Sequence, residues 1–358
     1  MHNQENRILF LDGLRGWAAF IVLLSHIFIQ TNPISPSVRA IMGDIFIFHG
    51  GLAVILFFIV SGYSLSIGYL QTGDPLKLKR ILLGRYFRLV VPILLACFIV
   101  YGVATAGWLP QEFVRPGSQN VVDLLQFALF DVLFRYNAAT SPIPPLWTMS
   151  VEFMGSVLII AMLAIVRRHR LRFLVYIVVL AIAYTTYPLY AAFIFGLLLA
   201  EVRPEALRTS TQRLLSTVAT IALGPMLLSI AWIADPWPNR HILVLFACGL
   251  SICLFYSDAT RRFLSNPVSS FLGSISFSLY LLHAATIHIF EGLFMPLGSS
   301  PYVIAAGGIL IAAISVVLAW VFRPIDTLGI RVSRRVGRLL TASGAVYINS
   351  GGRTERAE

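Results

Sequence analysis

The chain is divided into about ten apolar stretches, and this pattern limits the fold to a bundle of membrane-spanning helices. A helix needs about 20 apolar residues to cross the hydrocarbon core, and helices satisfy all their backbone groups there. Charged residues make up only 12% of the 358 residues, against about 25% in soluble domains. We therefore predict an all-α polytopic membrane protein with spans near residues 8–29, 50–70, 82–106, 146–166, 171–186, 188–202, 213–233, 241–257, 270–290 and 301–322.

The distribution of basic residues predicts that both termini are cytoplasmic. With the amino terminus placed inside, all of the 27 Lys and Arg residues fall on the cytoplasmic side except Arg39, Arg115, Arg135 and Arg240. Cytoplasmic loops carry such an excess of positive charge. The net charge of +11 is thus explained by topology and indicates no nucleic-acid partner. We expect a multi-pass protein of the inner (plasma) membrane of a bacterial cell.

One membrane domain, residues 1–323, is predicted to precede a basic cytoplasmic tail, residues 324–358, that is partly disordered. Residues 331–340 of this tail are expected to lie on the inner leaflet.

The first span has no cleavage pattern and is expected to stay as an anchor. The cysteines all fall in apolar stretches and indicate neither a disulfide framework nor a metal site; these are Cys97, Cys248 and Cys253.

The first span carries three ionisable residues, Asp12, Arg15 and His26. Such groups cost several kcal/mol inside a membrane and usually face the bundle interior or a wet cavity. Arg15 and His26 lie on one face of a helix, roughly 16 Å apart along its axis. Asp12 precedes Arg15 by one turn and is expected to pair with it. The alternative is an interfacial ion pair and a core histidine without a chemical role.

The fourth span brings a carboxylate, Glu152, into the membrane from the opposite side. Counted from Leu146, Glu152 lies about 9 Å deep, and His26 lies about 6 Å from the same boundary of a core about 30 Å thick. Equal depth makes Glu152 a candidate partner that orients the imidazole, as the carboxylate does in hydrolytic triads. Depth alone leaves lateral contact open.

Arg85 and Arg88 open the third span at the cytoplasmic boundary and share one helix face. Guanidinium groups bind phosphate oxygens in a bidentate manner, so the pair is a candidate phosphate site. On spacing alone, the positive charge of a short cytoplasmic loop is the better explanation of both residues.

Polar residues in two further spans are assigned structural or auxiliary roles. Ser61 precedes Gly62 in the second span, where small residues favour close helix contact. Tyr280 and His283 lie one turn apart in the ninth span. Taken separately, each is explained by packing or by a polar contact.

Five sequence blocks in this order resemble the membrane acyltransferase family 3. They are LDGLRG at 11–16 with His26, FFIVSGY at 57–63, RYFR at 85–88, LWTMSVE at 146–152 and ISFSLYLLH at 275–283. The family's arginine and histidine, separated by ten residues, correspond to Arg15 and His26. Its paired arginines correspond to Arg85 and Arg88.

The resemblance implies an enzyme that moves an acyl group, commonly acetyl, from cytoplasmic acyl-CoA to a hydroxyl of a carbohydrate. Exopolysaccharide, O-antigen or another lipid-linked sugar is the implied acceptor, and glycan-assembly proteins are possible partners. Catalysis is expected from His26, with Glu152 and Arg15 assisting, and donor binding from Arg85 and Arg88. His26 would act as a general base in direct transfer or carry the acyl group itself. No metal is expected.

A transporter or flippase for a lipid-linked sugar is the main alternative, because intramembrane charge fits that class too. The chain lacks the inverted sequence repeat that is typical of transporters. A membrane receptor or assembly factor without catalysis is a second alternative, and loss of activity in a normally folded His26→Ala variant would count against it.

Overall fold

The computed structural model describes residues 2–30, 42–43, 45–109, 120–167, 169–202, 209–232, 240–294 and 300–350. These residues form an all-helical bundle, as predicted. The helices are α1 (His2–Ser25, extended by a π-helical turn, His26–Gln30), α2 (Gly50–Thr72), α3 (Pro75–Thr105), α4 (Val121–Gln126), α5 (Trp147–Val166), α6 (Arg172–Thr186), α7 (Pro188–Glu201), α8 (Thr209–Leu228), α9 (Arg240–Tyr256), α10 (Asp258–Leu264), α11 (Pro267–Phe294) and α12 (Pro301–Ser350).

Seven of the described helices are long and apolar enough to cross a membrane, which makes this a multi-pass membrane protein. The number becomes eight if α9 and α10, which meet at a bend of 87°, form a single span. Helices α6 and α7 have 15 and 14 residues, and at 1.5 Å per residue they are shorter than the hydrocarbon core. The count of ten spans and the cytoplasmic termini therefore stay predictions.

Helices α1 and α11 run parallel and touch along their length. A Cβ atom on Gly16 would lie 2.3 Å from the backbone nitrogen of Gly273, so only glycine permits this approach. Next to this contact, Trp17 Nε1 donates a hydrogen bond of 3.0 Å to Ser269 Oγ. The end of the bundle at which α1 and α11 begin is called the proximal end below, and the opposite end is called distal.

The core lies around α2, which crosses α7 through small residues. Cβ atoms on Gly62 and Gly196 would lie 2.1 Å from the backbone oxygens of Phe193 and Ile59, respectively. This contact confirms the packing role predicted for Gly62, because small residues let membrane helices approach closely.

Helices α3 and α12 form a long antiparallel pair that continues beyond the predicted last span. Gly84 packs against Ser333, and Arg80 Nε donates a hydrogen bond of 3.3 Å to Thr341 Oγ1. Helix α12 passes through Pro324 without ending. The residues predicted to begin a separate tail at 324 are thus helical and packed on α3 as far as Thr341, although the proposed domain division itself stays a prediction.

The segment from α4 to Phe134 enters the bundle from the distal end. Its Leu129 backbone oxygen accepts a hydrogen bond of 2.7 Å from Tyr86, which lies about 28 Å from the distal end of α3. Leu124 and Leu133 are fully buried, while Val122 on the opposite face is 68% exposed. The segment therefore lies inside the bundle beside α3, and it is called the re-entrant segment below.

Candidate functional site

A polar cavity of about 410 Å³ lies in the proximal half of the bundle, enclosed by α1, α2, α3, α5, α11 and α12. Its walls carry more basic than acidic groups, which suits an anionic ligand. Ser61, which was assigned an auxiliary role, lines it as well. The charged residues of the wall are Asp12, Arg15, Arg85, Arg88, Glu152, Arg323 and Asp326.

The predicted phosphate-binding arginines lie side by side in this cavity. The guanidinium of Arg85 forms an ion pair with Glu152, and its Nε donates a hydrogen bond of 2.9 Å to Ser156 Oγ. Arg88 forms an ion pair with Asp326 of α12 and lies 5.0 Å from the centre of the Phe277 ring. Both guanidinium groups are therefore oriented by fixed partners.

Glu152 pairs with Arg85 and not with His26, which corrects the predicted geometry. The depth estimate placed Leu146 at the outer boundary, but Leu146 is fully buried, because the re-entrant segment before it already lies inside the bundle. Tyr280 donates its hydroxyl to the Pro145 backbone oxygen at 2.6 Å, so α5 begins at the level of Tyr280. Glu152 consequently lies roughly 10 Å proximal to the level of Tyr280, and roughly 15 Å proximal to that of His283.

Asp12 and Arg15 form the predicted ion pair at the rim of the cavity. Arg15 Nη1 lies 3.1 Å from Asp12 Oδ1, and both side chains are partly exposed. Because water screens exposed pairs, this contact contributes little to stability, and Arg15 is available for a ligand.

His26 lies at the distal end of α1 beside His283, with ring centres 4.9 Å apart. The parallel α1–α11 contact produces this neighbourhood, since each histidine follows the glycine of its helix, Gly16 or Gly273, by ten residues. His26 also begins the π-helical turn, a feature that is frequent at functional sites.

Backbone carbonyl groups set the tautomer of both imidazoles. Nδ1 of His26 lies 2.8 Å from the Val22 oxygen, and Nδ1 of His283 lies 2.8 Å from the Tyr280 oxygen. A carbonyl only accepts, so Nδ1 donates in both rings and the lone pair is on Nε2. Each histidine is therefore prepared to act as a base or a nucleophile.

A narrow apolar passage of about 20 Å³ adjoins the polar cavity. Phe57 and Phe277 belong to the walls of both. Val22 and Tyr280, whose carbonyl groups hold the imidazoles, also line the passage. The passage thus extends from the arginine cavity to residues that contact the histidine pair, without being lined by the imidazoles themselves.

Sequence reasoning missed Asp326 and Ser156. Asp326 fell in the stretch that was assigned to a separate tail, where it is an isolated acidic residue between basic ones. That isolation is the signal that could have identified it, because a lone carboxylate near a basic cluster commonly has an ionic partner. Ser156 lies one turn after Glu152 and gave no signal of its own.

The fold and the site define a polytopic helical membrane protein in which a polar cavity with four arginines lies proximal to a pair of imidazoles. The sequence profile described as "Acyltransferase domain" matches residues 8–322. The chain belongs to the membrane acyltransferase family 3, as its sequence blocks indicated, and it is an acyltransferase.

Curated relatives carry names of the same kind. "O-acetyltransferase PaAT-1" of Phomopsis amygdali is 25% identical, over 80% of this chain and 74% of its own length. "Putative membrane-bound transacylase BcsY" of Komagataeibacter xylinus is 24% identical, over 78% of this chain and 72% of its own length. No solved structure matches the chain.

Proposed function

We propose that the protein transfers an acyl group, in the first instance acetyl, from cytoplasmic acyl-CoA to a hydroxyl of a cell-surface or lipid-linked carbohydrate. The observation that carries this proposal is the position of the apolar passage between the arginine cavity and Val22, the residue whose carbonyl group holds His26. The O-acetyltransferase name of the relative from Phomopsis amygdali is consistent with a hydroxyl acceptor.

The donor is proposed to bind with its phosphates in the polar cavity. Arg85 and Arg88 present planar guanidinium groups there, which suit phosphate oxygens better than a lysine would. Arg15 adds a third cation at the rim. The charge distribution predicts that both termini are cytoplasmic. This prediction supports a proximal end that faces the cytoplasm, where acyl-CoA is made.

The pantetheine arm of the donor is proposed to extend along the apolar passage. Arg15 and His26 are roughly 16 Å apart along α1, a distance comparable to an extended pantetheine arm. The passage has room for about one water molecule, so the arm must displace side chains such as Phe57 and Phe277 as it enters. Removal of water from the thioester favours transfer over hydrolysis.

His26 is proposed to act on the thioester or on the acceptor through Nε2. Its hydrogen bond to Val22 fixes the ring and leaves the lone pair on that atom. The acceptor reaches His26 from the distal end, opposite to the donor. Glu152 and Asp326 orient the donor-binding arginines and are not proposed to contact the reacting atoms.

A comparison of cell-surface glycans tests this function. We expect acyl esters, detected by mass spectrometry and released by mild alkali, in cells that express the protein, and their absence in cells without the gene. Cells that express His26→Ala should resemble the latter. If glycan amounts change while ester content does not, the transport alternative is favoured.

A further inference from the structure

His283 is a buried histidine whose second nitrogen has no structural use. Its side chain is 1% exposed, and Nδ1 is occupied by the Tyr280 carbonyl. Nε2 has no hydrogen-bond partner among the residues that the structure describes. A buried polar atom without a partner costs about 1–3 kcal/mol, and such an atom beside the proposed reacting group indicates a role in the reaction.

His26 and His283 each present a basic Nε2 atom, although direct transfer of the acyl group to the acceptor requires only one base. Carbonyl groups hold Nδ1 of both His26 and His283 as donors, so neither ring in this state has a proton on Nε2 to give to a leaving group. One Nε2 atom is enough to take the proton from an acceptor hydroxyl. A second one at this position is useful when the first is occupied by an acyl group.

We propose that His26 and His283 divide the reaction, with His26 as the nucleophile that carries the acyl group and His283 as the base that activates the acceptor hydroxyl. This inference rests on the proposed function. It assigns a catalytic role to a residue that sequence reasoning treated as structural, and it selects the covalent route over direct transfer.

The acyl group is transferred in two steps. The lone pair of His26 Nε2 bonds to the thioester carbon, the C–S bond breaks, and the coenzyme A thiolate takes a proton from water at the proximal end. The acceptor oxygen then attacks the acyl carbon, its proton moves to His283 Nε2, and the C–N bond breaks with its electron pair returning to His26. His283 finally releases the proton to water.

The opposite approach of the two substrates supports this order. The donor cavity lies proximal to the histidines, and the covalent step lets coenzyme A leave by that side before the acceptor reacts on the other. His26 and His283 need no rearrangement between the steps, because the glycine contact of α1 and α11 holds the rings 4.9 Å apart.

Two assays separate the roles of the histidines, one of the first step alone and one of the complete transfer. The first is exchange of isotope-labelled coenzyme A into acetyl-CoA by the purified protein in nanodiscs without acceptor, which requires only the nucleophile. The second is the rate at which alkali-labile acetate appears in the envelope of cells after expression is induced, which requires both residues.

The decisive variant is His283→Asn, whose amide nitrogen can still donate to the Tyr280 carbonyl while Nε2 is lost. We expect exchange within about threefold of wild type, envelope transfer at least about 100-fold slower, and acetylated His26 accumulating in the mass spectrum. His283→Gln fills more of the ring volume and decides the test if His283→Asn does not fold. His241→Gln, which removes a histidine that contacts Tyr184 on α6, should keep both rates.

The outcomes distinguish this inference from the proposed function. His26→Ala should lose exchange and transfer together, and retention of transfer in that variant would overturn the role of His26. If wild type adds no alkali-labile acetate to the envelope, the proposed function itself is overturned. The division of roles is overturned if wild type shows no exchange, if both His283 variants keep envelope transfer, or if they lose exchange as much as transfer. The last result would make His283 a support for His26.

Discussion

The polar cavity and the histidine pair differ in whether their central polar groups have partners. In the cavity, Arg85 and Arg88 each have a carboxylate partner on another helix, which compensates the cost of burying charge. In the histidine pair, His283 keeps Nε2 without a partner in the part of the chain that is described. An arginine that binds a ligand can exchange its carboxylate partner for the anionic group of that ligand. A nitrogen that reacts must instead keep its lone pair free of a permanent hydrogen bond.

The largest expected effect is on turnover when His26 is removed. His26→Ala should lower turnover by about 10²–10⁴-fold, the usual contribution of a positioned base or nucleophile, while acyl-CoA binding is unchanged. Single-turnover assays and equilibrium binding in nanodiscs measure the two quantities. Because Glu152 lies in the other region, losses from Glu152→Gln and His26→Ala should multiply. If the double variant is no slower than His26→Ala, the two residues act as a unit, and the result would favour the direct pairing of His26 and Glu152 that the structure does not show.

The second effect is on the free energy of unfolding when Glu152, a residue of the polar cavity, is replaced. Glu152→Ala leaves Arg85 buried without its carboxylate, which should cost about 3 kcal/mol in the free energy of unfolding. Glu152→Gln keeps a hydrogen-bond acceptor for Arg85 and should cost less. Denaturation in detergent micelles compares both with wild type. Equal stability of the two variants would show that the ion pair contributes nothing beyond the hydrogen bond.

A smaller effect is expected on donor binding when Arg88 is replaced. Arg88→Ala should weaken acetyl-CoA binding by about tenfold, since a charge-assisted contact contributes about 1.5–3 kcal/mol. Arg88→Lys should weaken it less, because only the bidentate geometry is lost. Isothermal titration calorimetry gives both constants. Unchanged binding in an Arg85→Ala/Arg88→Ala double variant would remove the phosphate assignment.

The smallest effect concerns the carboxylate that the donor has to displace. Asp326→Asn should strengthen acetyl-CoA binding by about threefold, because Arg88 then gives up a neutral partner and not an anion. Weaker binding would instead show that Asp326 orients Arg88 for the phosphate. Leu328→Asn, at an exposed position of the same helix, is the matched control and should leave binding unchanged.

The helical class and the family could be predicted from the sequence, because apolar length and motif spacing are local properties. Asp12 and Arg15 pair as a helix dictates. The partners of Glu152 and Arg88 could not be predicted, since they depend on lateral contacts between helices distant in sequence. The error in the depth of Glu152 arose from the re-entrant segment, whose fold depends on burial against α3 and α5 and not on its own composition.

The last span shows a second limit of local reasoning. Pro324 and the basic residues after it suggested the end of the membrane domain, but a helix continues when packing against a neighbour outweighs a proline. The contact between Gly84 and Ser333 supplies that packing. Asp326 therefore reaches the cavity from a region that sequence patterns placed outside it.

The glycine contact between α1 and α11 has a consequence for how this enzyme tolerates change. The histidines meet because each helix has the same number of residues between its glycine and its imidazole. One inserted or deleted residue in either interval would turn one ring by about 100° and shift it by about 1.5 Å, whereas a substitution there leaves the count intact. The histidine pair thus depends on a length shared by two distant segments, so a residue gained or lost in one interval should need a matching change in the other.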